Sequence, residues 1–332
     1  MSRSPESWSK LQRFAARCLT VAALVLPLPV LAATPDYGRE NVATASCDKR
    51  CLMLNLNRIL EAIGTNAPTG LPIAPNAKIT SDGVVGKLES SPVWGSARRI
   101  PYRLVFADPV TESAVFYGVV TNSFERPQGA PPANHPPPEG AGDEWWYYVL
   151  RIKVANKMIT EIEQLDLQPA KGGFGSEAIR NLHAPDRIWD QVIPQSERST
   201  REELFAVADK YWDSVSKRID TQEVPWGPAC QRLESGTVTS DSANFPWSCG
   251  NGMKQPNVYW IVENRRYYFA DVERGVVLGF AVFMTPKEFP KNSFGLAIEF
   301  FKVQNGLIQA IDAFSRTRPT AQHSGWGTGP GS

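Results

Sequence analysis

Histidine, methionine and cysteine are scarce in this chain: 3, 5 and 5 residues of 332. His135, His183 and His323 flank none of the cysteine pairs, so the tight Cys/His spacing of a zinc site is missing and no metal is expected. Charge of one sign is also missing. Lys plus Arg is 35 against 34 for Asp plus Glu, with no acidic or basic block, which argues against nucleic acid or an anionic membrane as partner. The Gly-x-Ser-x-Gly, Walker, His-Glu-x-x-His and dinucleotide signatures are absent, and with them the commonest hydrolase, kinase, zincin and dehydrogenase readings. Gly172-Gly173-Phe174-Gly175 lacks the lysine and the strand-to-helix setting of a phosphate loop. No cofactor is expected.

Apolar residues make up 42% of the chain, enough to build cores, and the length suits two ordinary domains. Arg3, Lys10, Arg13 and Arg17 precede an apolar run over 18–32 that ends in Val30-Leu31-Ala32. The run is short for a membrane span and reads as a secretory signal over 1–33, with an uncleaved anchor as the alternative. The mature protein is therefore expected to be secreted or periplasmic and free of the membrane. It keeps Cys47, Cys51, Cys230 and Cys249, an even count that reads as two local disulfides, 47–51 and 230–249.

The chain repeats itself. "RLVFADPVTESAVFYGVV" (103–120) matches "RYYFADVERGVVLGFAVF" (266–283), and "YVLRIKVANKMITEIEQL" (148–165) matches "AIEFFKVQNGLIQAIDAF" (297–314). A helical segment precedes each set, at 51–63 and 200–219, the second opening with a Thr200/Glu203 capping box. Each half thus reads helix, irregular stretch, hairpin, hairpin. The expected fold class is α+β: two tandem cone-shaped units, each a helix packed on a curved, mostly antiparallel sheet. The expected boundaries are a first domain over 34–166, a linker over 167–198, a second domain over 199–316 and a flexible tail over 317–332.

These motifs resemble the nuclear transport factor 2-like (SnoaL-like) fold. Thr200–Leu204 with Tyr211, Cys230–Thr239, Arg265–Gly275, Ala297–Ile311 and Ser324-Gly325-Trp326 are similar to a secreted bacterial and fungal two-domain family of unknown function. Cys47–Leu52, "LPIAPNAKIT" (71–80), "FADP" (106–109) and "MITEIE" (158–163) resemble the domain often found upstream of it. Ser81-Asp82-Gly83 departs from the Glu-Asn-Gly of relatives. The resemblance implies a small apolar pocket used for cofactor-free acid–base chemistry or for binding alone, and it names no reaction.

The residues point to one site. An Asn305-Gly306 turn sets a register in which Glu299 lies opposite Asp312. Two carboxylates facing one pocket would split their pKa values, giving an acid beside a base. Tyr211, on the inward helical face, is expected to assist. Arg266, Tyr268, Arg232, Trp260 and His323 are the candidate substrate-binding residues. The competing reading places either carboxylate in an ion pair with Arg232, Arg265 or Arg266. The function expected is that of a lyase, isomerase or hydratase acting on a small apolar or aromatic compound; the alternative is a small-molecule or peptide binding module.

Overall fold

A computed structural model describes residues 47–124, 142–172, 174–218, 220–254, 261–284, 294–318 and 323–327. The expected signal segment and Trp260 lie outside the described residues. Helix α1 (Lys49–Thr65) starts at Asp48, whose carboxylate accepts the Cys51 amide hydrogen at 2.8 Å. It buries Leu52, Leu56, Ile59 and Ile63, a stripe at helical spacing. Two short turns, α2 (Ala178–Asn181) and α4 (Cys249–Gly252), flank α3 (Arg201–Val215). The capping box at the head of α3 is formed: the Glu203 amide donates to Thr200 Oγ1 at 3.2 Å, and the Thr200 amide to Glu203 Oε2 at 2.8 Å.

The first half contributes β1 (Ile73–Ser81), β2 (Val84–Val85), β3 (Arg99–Asp108), β4 (Ser113–Thr121), β5 (Trp145–Ala155) and β6 (Met158–Leu167). The second contributes β7 (Trp226–Glu234), β8 (Thr237–Val238), β9 (Ile261–Asp271), β10 (Val276–Met284), β11 (Phe294–Gln304) and β12 (Leu307–Arg318). The two six-stranded sheets have the same order, β2-β1-β6-β5-β4-β3 and β8-β7-β12-β11-β10-β9. Each is antiparallel except for one parallel pairing, β1 with β6 and β7 with β12. The four expected hairpins are present. The stretch read as irregular in each half is instead a strand, β1 or β7. Each carries a proline, Pro75 or Pro228, inside a segment where the register shifts, and a bulge is where a sheet tolerates a residue with no N–H to give.

The two sheets pack against each other. Their facing sides share one core that joins Phe106, Tyr117 and Val149 of the first half to Phe269, Phe280 and Phe300 of the second. α1 covers the outer face of the first sheet and α3 that of the second, each over its own core. The layers run helix, sheet, sheet, helix, and the fold is a pair of similar α+β units fused in one chain.

The expected flexible tail departs from that description at Ser324 and Trp326, both buried. The Trp326 indole donates to Thr80 Oγ1 of β1 at 2.8 Å, while Asn264 of β9 donates to the Trp326 carbonyl at 3.0 Å. The segment bridges the two halves. Gly83 and Gly325 allow the close approach: both have positive φ, and a Cβ on Gly83 would lie 2.5 Å from the His323 carbonyl oxygen.

Candidate functional site

The final hairpin begins in the expected register. Asn305 and Gly306 take φ of 53° and 70°, and Gln304 pairs with Leu307 and Val303 with Ile308. The next pair is Lys302 with Ala310, so Gln309 is an extra residue on β12. That bulge turns every later side chain to the other face. Glu299 consequently pairs with Ala313, and Asp312 with Phe300. The expected facing pair of carboxylates does not exist: Glu299 points to α3 and Asp312 to the other sheet.

Asp312 is a tie between the halves. It accepts hydrogen bonds from Tyr117 at 2.6 Å and Tyr102 at 3.1 Å, both of the first sheet. Burial pushes its carboxyl up to about 6, against the pull of those two phenols. Glu163, its counterpart in the repeat, is tied in the reverse direction. Arg266 of β9 donates to both Glu163 oxygens at 2.9 Å, and Arg151 Nε donates to one at 3.2 Å. Arg266 also donates to the Tyr268 hydroxyl at 3.1 Å, and the Arg151 guanidinium lies 4.0 Å from the Tyr268 ring centroid. Arg266 and Tyr268, expected to hold substrate, are therefore part of the join between the sheets. His323 is exposed beside the β1–β2 turn of the first half, not near Glu299.

Glu299 stands with two of its expected companions. It is 2% exposed, and burial pushes its carboxyl up to about 7, opposed by Arg232 and reinforced by Glu234. Tyr211 and Trp212 of α3 also act on it, favouring the ionised form. Arg232 Nε donates to the Tyr211 hydroxyl at 3.2 Å, and Arg232 Nη1 donates to Glu234 at 2.7 Å and to Thr239 at 2.9 Å. Burial drives the Tyr211 phenol far above its usual range, so it remains a proton donor. Among the described residues, Glu299 Oε2 and Trp212 Nε1 are both buried without a hydrogen-bond partner. Gly279 pairs with Glu299 on the neighbouring strand, and a Cβ there would come within 2.3 Å of the Trp212 ring. The missing side chain is what lets Trp212 pack beside the carboxyl.

The Cys230–Cys249 disulfide ties β7, which carries Arg232 and Glu234, to α4, and the Cys47–Cys51 disulfide closes the head of α1. Among the described residues no group of three or more His, Cys, Asp or Glu side chains is placed to hold a metal ion.

Three participants escaped the sequence reading: Arg151, Lys302 and Gln309. Lys302 is buried, with Nζ donating to the carbonyls of Gln191 at 2.7 Å and Arg274 at 2.6 Å, and burial pushes its amine down to about 8. An interior cation in each final hairpin had a signal, since Arg151 and Lys302 interrupt apolar runs.

Residues 197–315 match a family profile described as a domain of unknown function (DUF8021), a span that contains α3 and β7 to β12. No curated protein matches the chain. Among solved structures the chain is similar to one described as a "putative ketosteroid isomerase" from Kribbella flavida DSM 17836. The two are 17% identical with a TM-score of 0.27, over 35% of this chain and 78% of that one.

Proposed function

We propose that the second half is a cofactor-independent acid–base site, of the isomerase or lyase type, in which Glu299 alone moves a proton on a small apolar or aromatic compound. One observation carries the reading: the Glu299 carboxyl is buried beside Tyr211 and Arg232, burial pushes it up to about 7, and among the described residues its Oε2 has no hydrogen-bond partner. As carboxylate, Glu299 takes a proton from the carbon that lies between the carbonyl and a carbon–carbon double bond of a β,γ-unsaturated substrate. The Tyr211 O–H and Arg232 donate to the carbonyl oxygen as it becomes an enolate. Glu299, now protonated, returns the proton to the far carbon of the original double bond, while the dienolate oxygen re-forms the carbonyl and the carbon–carbon double bond moves into conjugation with it. Proton and charge balance with no other reactant. Arg232 and Glu234, the charged neighbours of Glu299, have side chains 11% and 32% exposed.

The compartment supports a small extracellular substrate: residues 1–33 act as a cleaved signal, and two disulfides suit an oxidising environment. The depth of Glu299 favours one second reading, a binding module in which the carboxyl only orients a ligand. A thermal-shift screen of the oxidised protein against phenolics, sterols, sugars and small acids separates the two. The acid–base reading expects a compound that raises the melting temperature of wild type and Glu299→Gln alike. Wild type should turn it over about 10²–10⁴-fold faster than the variant. Binding by both proteins with turnover by neither favours the module.

A further inference from the structure

We infer that the first half binds a small amphipathic monocarboxylate in a cavity between the C-terminal end of α1 and the start of β3. The inference does not depend on Glu299, which belongs to the other half. The cavity encloses about 220 Å³. Its apolar lining comes from Leu60 and Ile63 of α1, Ile100 of β3 and Val120 of β4, while Arg98, Arg99 and Glu61 also line it.

The two arginines are positioned but not neutralised. Arg98 donates from Nη1 to the Ala97 carbonyl at 2.9 Å and from Nη2 to the Gly95 carbonyl at 3.0 Å. Arg99 donates from Nε to the Ser123 carbonyl at 2.8 Å. Those bonds orient both guanidinium planes, the Arg99 guanidinium also lies 5.9 Å from the Phe124 ring centroid, and among the described residues Arg98 Nε and both Nη groups of Arg99 make no hydrogen bond. Among the described residues neither arginine has a carboxylate within 4.0 Å, although Glu61 shares the lining. A pair of held guanidiniums beside an apolar wall recognises a carboxylate with an apolar body.

The second half supplies an internal comparison. Counted from the N-caps Asp48 and Thr200, Leu60 and Glu61 correspond to Trp212 and Asp213. By the matched hairpins, Ile100 and Val120 correspond to Glu263 and Phe283. The second half therefore carries the larger rings Trp212 and Phe283 at the positions of Leu60 and Val120. The cations nearest those positions are neutralised: Arg218 pairs with Glu263 at 3.1 Å, and Arg265 with Asp213 at 2.7 Å. The first half has smaller side chains at those positions, and Arg98 and Arg99 stand where the second half has Ile261 and Val262. Because 220 Å³ is below the roughly 300–1,000 Å³ of drug-sized sites, the ligand is small: a short alkanoic or arylalkanoic acid. Glu61 disfavours a second negative charge on it.

The test is calorimetric titration of the whole oxidised protein with phenylacetate and hexanoate, each beside its neutral amide. The expected result is sub-millimolar binding of the acids and at least about tenfold weaker binding of the amides. Arg98→Gln and Arg99→Gln should each weaken the acids by about tenfold, and Glu61→Gln should strengthen them. If Arg99→Gln melts early, Arg98→Gln, at an exposed position, carries the test. Failure of either acid to bind, equal binding of acid and amide, or wild-type affinity in Arg98→Gln would overturn the assignment.

Discussion

Replacing Glu299 with glutamine should make the protein more stable at neutral pH, not less. The folded protein raises this carboxyl from 4.5 to about 7, because burial costs the charged form more than Arg232 returns. Folding therefore favours the protonated acid. The stability that the neutral form contributes is fully present below about pH 4.5, is lost as pH rises through about 7, and is constant beyond. Roughly two and a half pH units at about 1.4 kcal/mol each amount to about 3 kcal/mol. Glutamine resembles the neutral acid and escapes that loss. Asp312, raised to about 6, adds a similar loss that is common to both proteins and cancels in the comparison. Urea unfolding of both proteins at several pH values reads the effect directly. The two should be nearly equal near about pH 4, diverge up to about pH 7, and then stay about 3 kcal/mol apart with the variant more stable. A variant that is weaker by a constant amount at every pH would mean that folding leaves the Glu299 pKa unchanged. The raised acidity and the proposed chemistry would then both fall.

Two further outcomes follow from the join between the halves. Glu163→Gln removes the carboxylate that pairs with Arg266 and one of the two that pair with Arg151, which keeps Glu161 at 2.9 Å, and leaves the Arg266 charge in the interior, so it should cost about 3–5 kcal/mol in urea unfolding; a loss under about 1 kcal/mol would show that the cross-sheet pair contributes little. Trp326→Ala deletes an indole that donates to Thr80 and lies 4.4 Å from Lys78 Nζ and 4.7 Å from the Arg151 guanidinium, and should cost about 3 kcal/mol. An unchanged unfolding midpoint after that substitution would mean the C-terminal segment does not hold the halves together.

Much of this architecture was legible in the sequence because the signals were local. The Thr200 capping box, the Asn305-Gly306 turn and the four hairpins rest on contacts between near neighbours, and the repeat made each half a check on the other. The facing carboxylates were misread for want of a single residue. Strict alternation from the turn puts Glu299 and Asp312 on one face, and the bulge at Gln309 separates them. A trace of it was visible: Ile308 and Ile311 are three apart yet both pack under α3, while Ala310 and Phe314 face the other sheet. β1 and β7 were hidden for a different reason. Their pairing is parallel and long-range, and each contains a proline that breaks the alternation by which a strand is recognised. Arg266 was identified as an anion holder, but its anion is Glu163, more than a hundred residues away in the other half. Only the packing of one sheet on the other brings them together.

The central claim is that Glu299 exchanges a proton near neutrality inside a closed site. The most direct measurement is a carbon-13 NMR titration of glutamate side-chain carboxyls, with Glu299→Gln used to assign the resonance. The account predicts one signal, absent from the variant, that titrates with a midpoint of about 7. A Glu299 signal already in its ionised position at about pH 5 and unchanged above it would contradict the account.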